Sequence, residues 1–372
     1  MKRIGRMITA TVLAVSVLSS LTACGGSSST ATTAAATTAA ATTAAATTKA
    51  AETTKAAATT AAATTAAATT AAAAGSGKAC SIDVILKTTS SEYWKYVQSG
   101  ANDYMKDHPN VKVEVKGATS ETAYDEQQNM IETDLNSGAY DAFVIAPLQA
   151  DLVKKLISGQ KKPIVAVDTK IDAPEVLTFV GTSNEDAAKI GGDEAVKAAK
   201  AAGWTELNAI CISGVQGDST ATARMKGYKE GIEADGGKFL DNEVQYADAV
   251  ADKAVTCMEA IMQNHPQGVA MIVCNNDDMA MAAARAAKDN AAYKKTVFVG
   301  FDGIQSACKA ILAGEETLSV AQEAHDMGYK AVDAAVQALN GKTLDKFIDS
   351  GCSVVNKDNA QKRLDSLQGY LK

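Results

Sequence analysis

The sequence has 372 residues, enough for two to three domains. Its 36 basic and 43 acidic side chains give a formal net charge of −7, which argues against a protein that binds nucleic acid through the phosphate backbone. The charge is uneven, because residues 1–79 carry six basic side chains against Glu52, a net +5, and residues 80–372 therefore carry −12. The part of the chain that is able to fold is acidic, and we expect no nucleic acid among its partners.

The N-terminus has the pattern of an export signal. A basic start at 1–6 precedes an apolar run at 7–21, which is short for a membrane span of about 20 residues. The run ends in Leu-Thr-Ala-Cys at 21–24, which resembles the bacterial lipobox, in which the cysteine is lipidated. We therefore expect residues 1–24 to be a lipoprotein signal peptide and Cys24 to carry the lipid anchor. The alternative is a plain signal peptide with an incidental cysteine.

Residues 25–79 form a spacer of low complexity. They are almost wholly Ala and Thr in an approximate five-residue repeat, without the apolar periodicity that builds a core. This composition predicts a disordered tether with an r.m.s. reach on the order of 40 Å.

The remaining six cysteines and the three histidines show no metal-ligand spacing. Cys211 and Cys274 lie inside apolar, strand-like runs, where a buried thiol is usual. We expect mostly free thiols, with a single Cys308–Cys352 bridge as the alternative. We predict no metal and no cofactor.

From residue 80 onward, strand-like and helix-like segments alternate. Strands are predicted at 82–86, 111–115, 142–146, 163–167, 177–180, 209–212, 244–246, 269–273 and 296–299. Helices are predicted at 92–107, 124–135, 149–158, 184–202, 220–234 and 249–264. This alternation predicts the α/β class, with parallel sheets covered by helices on both faces. The pattern restarts after residue 180, which indicates two similar Rossmann-like lobes.

Polar residues follow the predicted strands at the points where ligands bind in open α/β sheets. These positions are 87–91, Gln149, Asp168, 213–218, 275–277 and Asp302. Because two lobes leave a cleft between them, the sequence predicts a small-ligand site in that cleft.

Five motifs in residues 80–372 carry a resemblance to a known family. They are Gly181-Thr-Ser-Asn-Glu185, Ala223-Arg-Met-Lys-Gly-Tyr228, Cys274-Asn-Asn-Asp-Asp-Met-Ala280, Val299-Gly-Phe-Asp-Gly303 and Ser319-Val-Ala-Gln322. In their order and spacing they resemble the bacterial periplasmic sugar-binding proteins of the ribose, allose and galactose type. Regulators of the lactose-repressor type share this core, but they carry a DNA-binding helix-turn-helix where this chain has an export signal.

The resemblance implies a periplasmic binding protein of type I, with two lobes joined by a three-strand hinge. Lobe 1 would comprise 80–183 and 323–352, and lobe 2 would comprise 184–322 and 353–372. The implied function is that of a monomeric, extracytoplasmic receptor that closes on a monosaccharide or related polyol and delivers it to an ABC permease. A sensor that presents its closed form to a membrane receptor, for a sugar or a furanosyl signal, is the alternative.

The resemblance also assigns the ligand-binding residues. Tyr93 and Trp94 match the family's pair of stacking aromatics, and Ser91 precedes them at a position that is often Asn. The matching polar groups for sugar hydroxyls are Asp168, Arg224, Asn276, Asp302 and Gln322. Asp277 is expected to cap the helix that follows it.

Two departures from the family pattern leave the identity of the sugar open. Thr169 stands where ribose-type members often have Arg, and Ala249 stands where relatives stack Phe or Trp. Asp168 and Asp302 could also imitate the carboxylate pair of a glycosidase, but the resembling family is not catalytic, and we expect no enzyme. The spacer alone suggests a further alternative, an adhesion protein.

Overall fold

The computed structural model describes residues 78–371. The predicted signal peptide with Cys24, and all but the last two residues of the predicted tether, lie outside the described residues. Among the residues that are described, no helix is long and apolar enough to cross a membrane.

The described strands form two sheets that are almost entirely parallel. Their bounds are β1 Cys80–Thr88, β2 Val111–Ala118, β3 Ala142–Ile145, β4 Ile164–Val167, β5 Val176–Gly181, β6 Asn208–Ser213, β7 Lys238–Phe239, β8 Gln245–Tyr246, β9 Met271–Cys274, β10 Val297–Asp302, β11 Leu318–Gln322, β12 Phe347–Asp349 and β13 Cys352–Asn356. The first sheet has the order β12-β5-β4-β3-β1-β2 and the second the order β13-β11-β10-β9-β6-β7, with β8 beside β6. Strand β13 pairs antiparallel with β11. The predicted α/β class with two parallel-sheet layers is confirmed.

Helices pack on both sheets. Their bounds are α1 Glu92–Asp107, α2 Tyr124–Ser137, α3 Ala150–Leu156, α4 Asn184–Ala201, α5 Ser219–Ala234, α6 Ala251–Asn264, α7 Asp277–Ala287, α8 Gln305–Ala313, α9 Ala324–Leu339 and α10 Ala360–Leu367, with short 3₁₀ helices at Asp241–Glu243 and Ala291–Tyr293. We call the first sheet with α1, α2, α3 and α9 the first half, and the second sheet with α4–α8 and α10 the second half.

The strand sequences explain why the sheets are central. Strands covered by helices on both faces read as continuous apolar runs, because neither face meets water. Ile164–Val167 and Met271–Cys274 are buried at every position. Each fully buried Ile or Val side chain contributes about 1.5–3 kcal/mol relative to an exposed one.

The chain passes between the halves at 182–183, at 323 and at 350–351, between strands or helices assigned to different sheets. The last residues of the described part contact the first half. Tyr370 stacks on His325 of α9 and meets Tyr96 of α1 edge to face. The backbone oxygen of Tyr370 also accepts a hydrogen bond from Ser99 Oγ, at 2.8 Å.

Two local predictions need correction. Helix α6 begins at Ala251 and not at Ala249, because Asp248 and Ala249 have φ angles of 49° and 60°, which a right-handed helix excludes. The cap of α7 is Asn276, whose side chain accepts the hydrogen bond from Met279 N. Asp277 instead lies inside the first turn, fully buried.

The six cysteines of the described part are free thiols. Cys211, Cys274 and Cys308 are buried, and Cys352 is exposed. The alternative of a Cys308–Cys352 bridge is therefore not realised in this structure.

Asp83 is an unusual residue for the middle of a buried strand. Its side chain is fully buried in β1, and neither carboxylate oxygen has a hydrogen-bond partner among the described residues. Burial raises its pKa to about 7, with Asp134 adding to the shift and Lys116, 3.4 Å away, opposing it. In the folded state Asp83 therefore keeps its proton up to about pH 7, whereas in the unfolded chain it loses the proton near pH 3.8.

We expect Asp83→Asn to stabilise the protein, by on the order of 3 kcal/mol at pH 8. A raised carboxyl pKa costs folding stability above pH 7, and this cost fades as the pH falls toward the unfolded value of 3.8. Urea unfolding at pH 8 and pH 4.5 measures the difference, which should shrink at the lower pH. Asp345→Asn, on the exposed surface, is the matched control. An equal effect of Asp83→Asn at both pH values would contradict this account.

Candidate functional site

A cavity lies between the two halves, beyond the carboxyl ends of their strands. Its empty volume is about 440 Å³, including the space at its mouth. The first half contributes Lys87, Tyr93, Trp94, Glu121 and Asp168. The second half contributes Gly214, Val215, Asp218, Thr220, Ala221, Arg224, Ala249, Asn275, Asn276 and Asp302. The position at the strand ends is the one that the sequence predicts.

Two aromatic side chains form one wall of the cavity. Tyr93 and Trp94 lie in the first turn of α1, with ring centroids 5.1 Å apart and ring planes at 79°. Both are buried, so hydrophobic packing and contact with the cavity coexist. Ser91 is the N-cap of this helix and accepts a long hydrogen bond of 3.5 Å from Trp94 N. Ser91 thereby positions the aromatic pair and is not itself among the lining residues.

Asp168 follows β4 and reaches the cavity from a strained backbone. Its φ angle of 62° lies in the left-handed region that few residues other than glycine adopt. The carboxylate accepts hydrogen bonds from Tyr93 OH at 2.7 Å and from Thr169 Oγ1 at 2.8 Å. The Thr169 hydroxyl also lies 3.0 Å from the Thr220 hydroxyl of the second half. Asp168 thus stands beside a hydrogen-bonded contact between the two halves.

Arg224 projects from α5 and is buried, with one face toward the cavity. Its Nε donates to Asn184 Oδ1 at 2.8 Å, and its Nη1 donates to the backbone oxygen of Asn275 at 2.7 Å. The guanidinium lies 3.8 Å from the centroid of the Phe301 ring, and Nη1 is 3.6 Å from Asp302 Oδ1. These contacts fix the plane of the guanidinium, which leaves its remaining donors oriented before any ligand arrives.

Asp302 ends β10 opposite Arg224, and its backbone is also strained, with a φ of 120°. Burial raises the pKa of this carboxyl well above its usual range, although Arg224 opposes the shift. Gln322, from the end of β11, donates its Nε2 hydrogen to Asp302 Oδ1 at 2.8 Å. Gln322 is not among the lining residues, so its contact with the cavity runs through Asp302.

Two adjacent asparagines follow β9, and they differ in whether the side-chain Nδ2 group has an acceptor. Asn276 caps α7, and its Nδ2 donates to the Ala249 oxygen at 3.2 Å. Asn275 accepts hydrogen bonds at Oδ1 from Ser213 Oγ and Gly214 N. The Nδ2 donor of Asn275 is buried and has no acceptor within the described part of the chain. An unpaired buried donor costs about 1–3 kcal/mol, so this group is suited to a ligand oxygen.

A buried ion pair crosses from one half to the other. Lys87 Nζ, at the end of β1, lies 2.7 Å from Asp218 Oδ2, at the start of α5, and both side chains are less than a tenth exposed. Burial lowers the pKa of Lys87, but Asp218, Glu121 and Asp168 outweigh burial and leave the pKa above its ordinary value. Lys87 therefore stays charged, and it faces three carboxylates.

The structure brings six of the eight predicted side chains to the cavity wall: Tyr93, Trp94, Asp168, Arg224, Asn276 and Asp302. Five further polar lining residues were not singled out as binding residues: Lys87, Glu121, Asp218, Thr220 and Asn275. Three of these lie in the polar segments after strands, which was the available signal. Glu121 lies in the loop between β2 and α2, where nothing in the sequence points to it.

For the monosaccharide that the family resemblance implies, we expect Tyr93→Phe to weaken binding about tenfold. The substitution keeps the ring but removes the hydroxyl that donates to Asp168, and a buried acceptor that loses its donor costs about 1–3 kcal/mol. Isothermal titration with the tightest-binding monosaccharide measures the change. The exposed Tyr246→Phe is the matched control. Unchanged affinity in Tyr93→Phe would remove this hydroxyl from the binding site.

The fold and the cavity define a class of protein, with two parallel-sheet halves and a cavity of small-molecule size between them. Residues 82–343 match the family described as the periplasmic binding protein domain, and this chain belongs to that family. The described part of the chain contains no group of three or more His, Cys, Asp or Glu side chains placed to hold a metal ion.

Named relatives and solved structures extend the comparison. The chain is 31% identical over 278 residues to the D-allose-binding periplasmic protein of Escherichia coli. The aligned region covers 72% of this chain and 87% of that protein. It is 26% identical over 284 residues to the ribose import binding protein of Bacillus subtilis, with 74% and 87% covered. Among solved structures, a carbohydrate transporter solute-binding protein from Agrobacterium radiobacter, in complex with D-arabinose, matches with a TM-score of 0.71 and 25% identity, covering 77% of this chain and 98% of that one.

Proposed function

We propose that this protein is the extracytoplasmic substrate-binding lipoprotein of an ABC transporter, and that it captures a monosaccharide or related polyol between its two halves. The observation that carries the proposal is the cavity itself. An aromatic wall from one half faces fixed polar groups from both, which is the combination that the C–H faces and hydroxyls of a sugar require. The binding-protein relatives for allose and ribose support the same ligand class.

The contacts between the halves support capture by closure. Lys87 with Asp218, and Thr169 with Thr220, join groups from different halves beside the cavity. Outside the cavity, Glu92 of α1 accepts hydrogen bonds from Gln305 N and Ser306 Oγ at the start of α8, each at 2.7 Å. If the halves open, these groups return to water. A ligand that pairs with both walls shifts the equilibrium toward the closed form.

We propose that this protein binds its ligand without catalysing a reaction. The carboxylates Asp168 and Asp302 are both held by donors from their own surroundings, Tyr93 and Gln322 respectively, and they serve as acceptors for hydroxyls. We propose that the closed form docks on a membrane permease as a monomer, with the lipid at Cys24 keeping the domain at the outer face of the membrane.

A thermal-shift screen of the full-length protein in mild detergent, against monosaccharides and polyols, tests the ligand class. A ligand present at a hundred times its Kd stabilises the folded state by about 2.7 kcal/mol. We expect a higher melting temperature with at least one compound and a smaller shift in Asp302→Asn. Absence of any shift in well-folded protein would contradict sugar binding.

Uptake measurements separate transport from sensing. Cells that lack this protein should fail to accumulate the radiolabelled ligand, and re-expression of the protein should restore uptake. Cys24→Ser should release the protein from the membrane fraction. Normal uptake in the deleted strain, together with loss of a transcriptional response to the ligand, would favour the sensor alternative.

A further inference from the structure

The charges around the cavity do not balance. The lining side chains include the cations Lys87 and Arg224 and four carboxylates, Glu121, Asp168, Asp218 and Asp302. When all are ionised, the lining carries a net charge of −2. Buried charges without partners are expensive, so an excess of this kind is relieved by protonation or by a cation that enters the site.

Two of the four carboxylates have cationic partners in the protein. Asp218 lies 2.7 Å from Lys87, and Asp302 lies 3.6 Å from Arg224. Asp168 and Glu121 form no ion pair within residues 78–371, although the charge of Lys87 acts on both. The donors hydrogen-bonded to them are the neutral groups of Tyr93, Thr169 and Trp94. Both carboxylates without an ion pair belong to the first half, on the side of the aromatic wall. The excess of negative charge is therefore localised.

Unused hydrogen-bonding capacity points to a ligand with both donors and acceptors. Glu121 uses one oxygen to accept from Trp94 Nε1 at 2.9 Å, and its second oxygen has no partner in the described part of the chain. On the other half, the buried Nδ2 of Asn275 is a donor without an acceptor. A ligand that satisfies both presents a donor, preferably cationic, toward Glu121 and an oxygen toward Asn275.

We propose that the preferred ligand is a polyol that carries an ammonium group, an amino sugar or an amino cyclitol, whose nitrogen lies between Glu121 and Asp168 while its hydroxyl oxygens face Asn275 and Arg224. The inference rests on the proposed function, because it names the ligand class of the same cavity. Such a ligand neutralises the two carboxylates that have no ion-pair partner in the described part of the chain, and charge-assisted hydrogen bonds are roughly twice as strong as neutral ones. An acidic sugar brings a further negative charge to these carboxylates, and the site rejects it because like charges repel.

Matched compounds test the charge of the ligand. Titration calorimetry at pH 7 on the full-length protein compares each of three hexoses with its 2-amino, 6-amino and uronic acid derivatives, and compares myo-inositol with an inosamine. We expect an amino compound to bind at least tenfold more tightly than its neutral parent in at least one series. We expect the uronic acids to bind more weakly than the parents throughout.

A charge-removing variant tests the position of the nitrogen. Glu121→Gln keeps an oxygen for the Trp94 hydrogen bond but removes the negative charge. It should weaken binding of the amino compound at least tenfold more than it weakens binding of the neutral parent. Glu259→Gln, on the exposed surface of α6, is the matched control and should leave both affinities unchanged.

The outcomes separate this inference from the proposed function. If the neutral parent binds more tightly than its amino derivatives in every series, the inference is wrong and the protein remains a sugar receptor. If amino and neutral compounds lose affinity equally in Glu121→Gln, the inference is also wrong. If no carbohydrate binds to folded protein, the proposed function fails together with the inference.

Discussion

Replacement of Arg224 by methionine is expected to lower the affinity for a monosaccharide ligand more than a hundredfold and to lower the free energy of unfolding by about 3–5 kcal/mol. Arg224 is the buried cation nearest Asp302, and it also holds Asn184 and the backbone of Asn275. Methionine fills much of the same volume against Phe301 but leaves Asp302 buried without a cation and Asn275 O without its donor. Both losses fall on cavity residues.

Two measurements separate the effects of Arg224→Met. Denaturant unfolding gives the stability change, and calorimetry under conditions where the variant is fully folded gives the affinity. The matched control is Arg285→Met, on the exposed face of α7, which should change stability by less than about 0.5 kcal/mol. The double variant Arg224→Met, Asp302→Asn removes the unpaired charge and should recover part of the stability but not the affinity. A variant that binds as the parent does would remove Arg224 from the site.

Replacement of Gly328 by alanine is expected to lower the free energy of unfolding by at least about 3 kcal/mol. Gly328 lies in α9 where that helix crosses α1. A Cβ atom at this position would lie 2.0 Å from the backbone oxygen of Val97, a distance that no side-chain rotation can relieve. The two helices must separate, which disturbs the packing of α1 on the first sheet. Because α1 carries Tyr93 and Trp94, the affinity should fall as well.

The sign of this effect is informative, because helix propensity predicts the opposite. In an exposed helix, Gly→Ala stabilises by about 1 kcal/mol. Urea unfolding of Gly328→Ala should therefore show a loss where propensity alone gives a gain. Gly369→Ala, where a Cβ atom meets no atom of the described residues within 4 Å, is the control and should be close to neutral. A stabilised Gly328→Ala would show that α1 and α9 are less tightly packed than the structure indicates.

The site combines backbone strain with unbalanced charge, and both features are typical of binding sites. Asp168, Ala249 and Asp302 line the cavity with positive φ angles. Such conformations cost on the order of 1–3 kcal/mol each and persist only where surrounding structure enforces them. Here the strain turns the two strand-end carboxylates toward the cavity. Asp168→Asn and Asp302→Asn are therefore suitable variants, because asparagine tolerates the left-handed region better than most residues.

The sequence by itself determined the class of fold and the edge of the sheets where the site lies. Strand and helix periodicities differ, and runs such as Ile164–Val167 are apolar at every position because helices cover both faces. The residues after each strand then fall at one edge, and that edge includes Asp168, Asn276 and Asp302. Arg224, inside α5, was assigned through the resemblance of its motif to the family. These signals are local, and local pattern is what a sequence displays directly.

The tertiary structure alone decided which polar atoms remain free for a ligand. Ser91 and Gln322 match the family pattern, yet Ser91 caps a helix and Gln322 binds Asp302. Glu121 comes from a loop without any pattern. Within the described residues, the Nδ2 of Asn275 has no acceptor, whereas the Nδ2 of its neighbour Asn276 donates to the Ala249 oxygen. The reason is physical: hydrogen-bond satisfaction and charge balance depend on groups from distant segments that meet only after folding. Lys87 and Asp218 are 131 positions apart and form one buried ion pair.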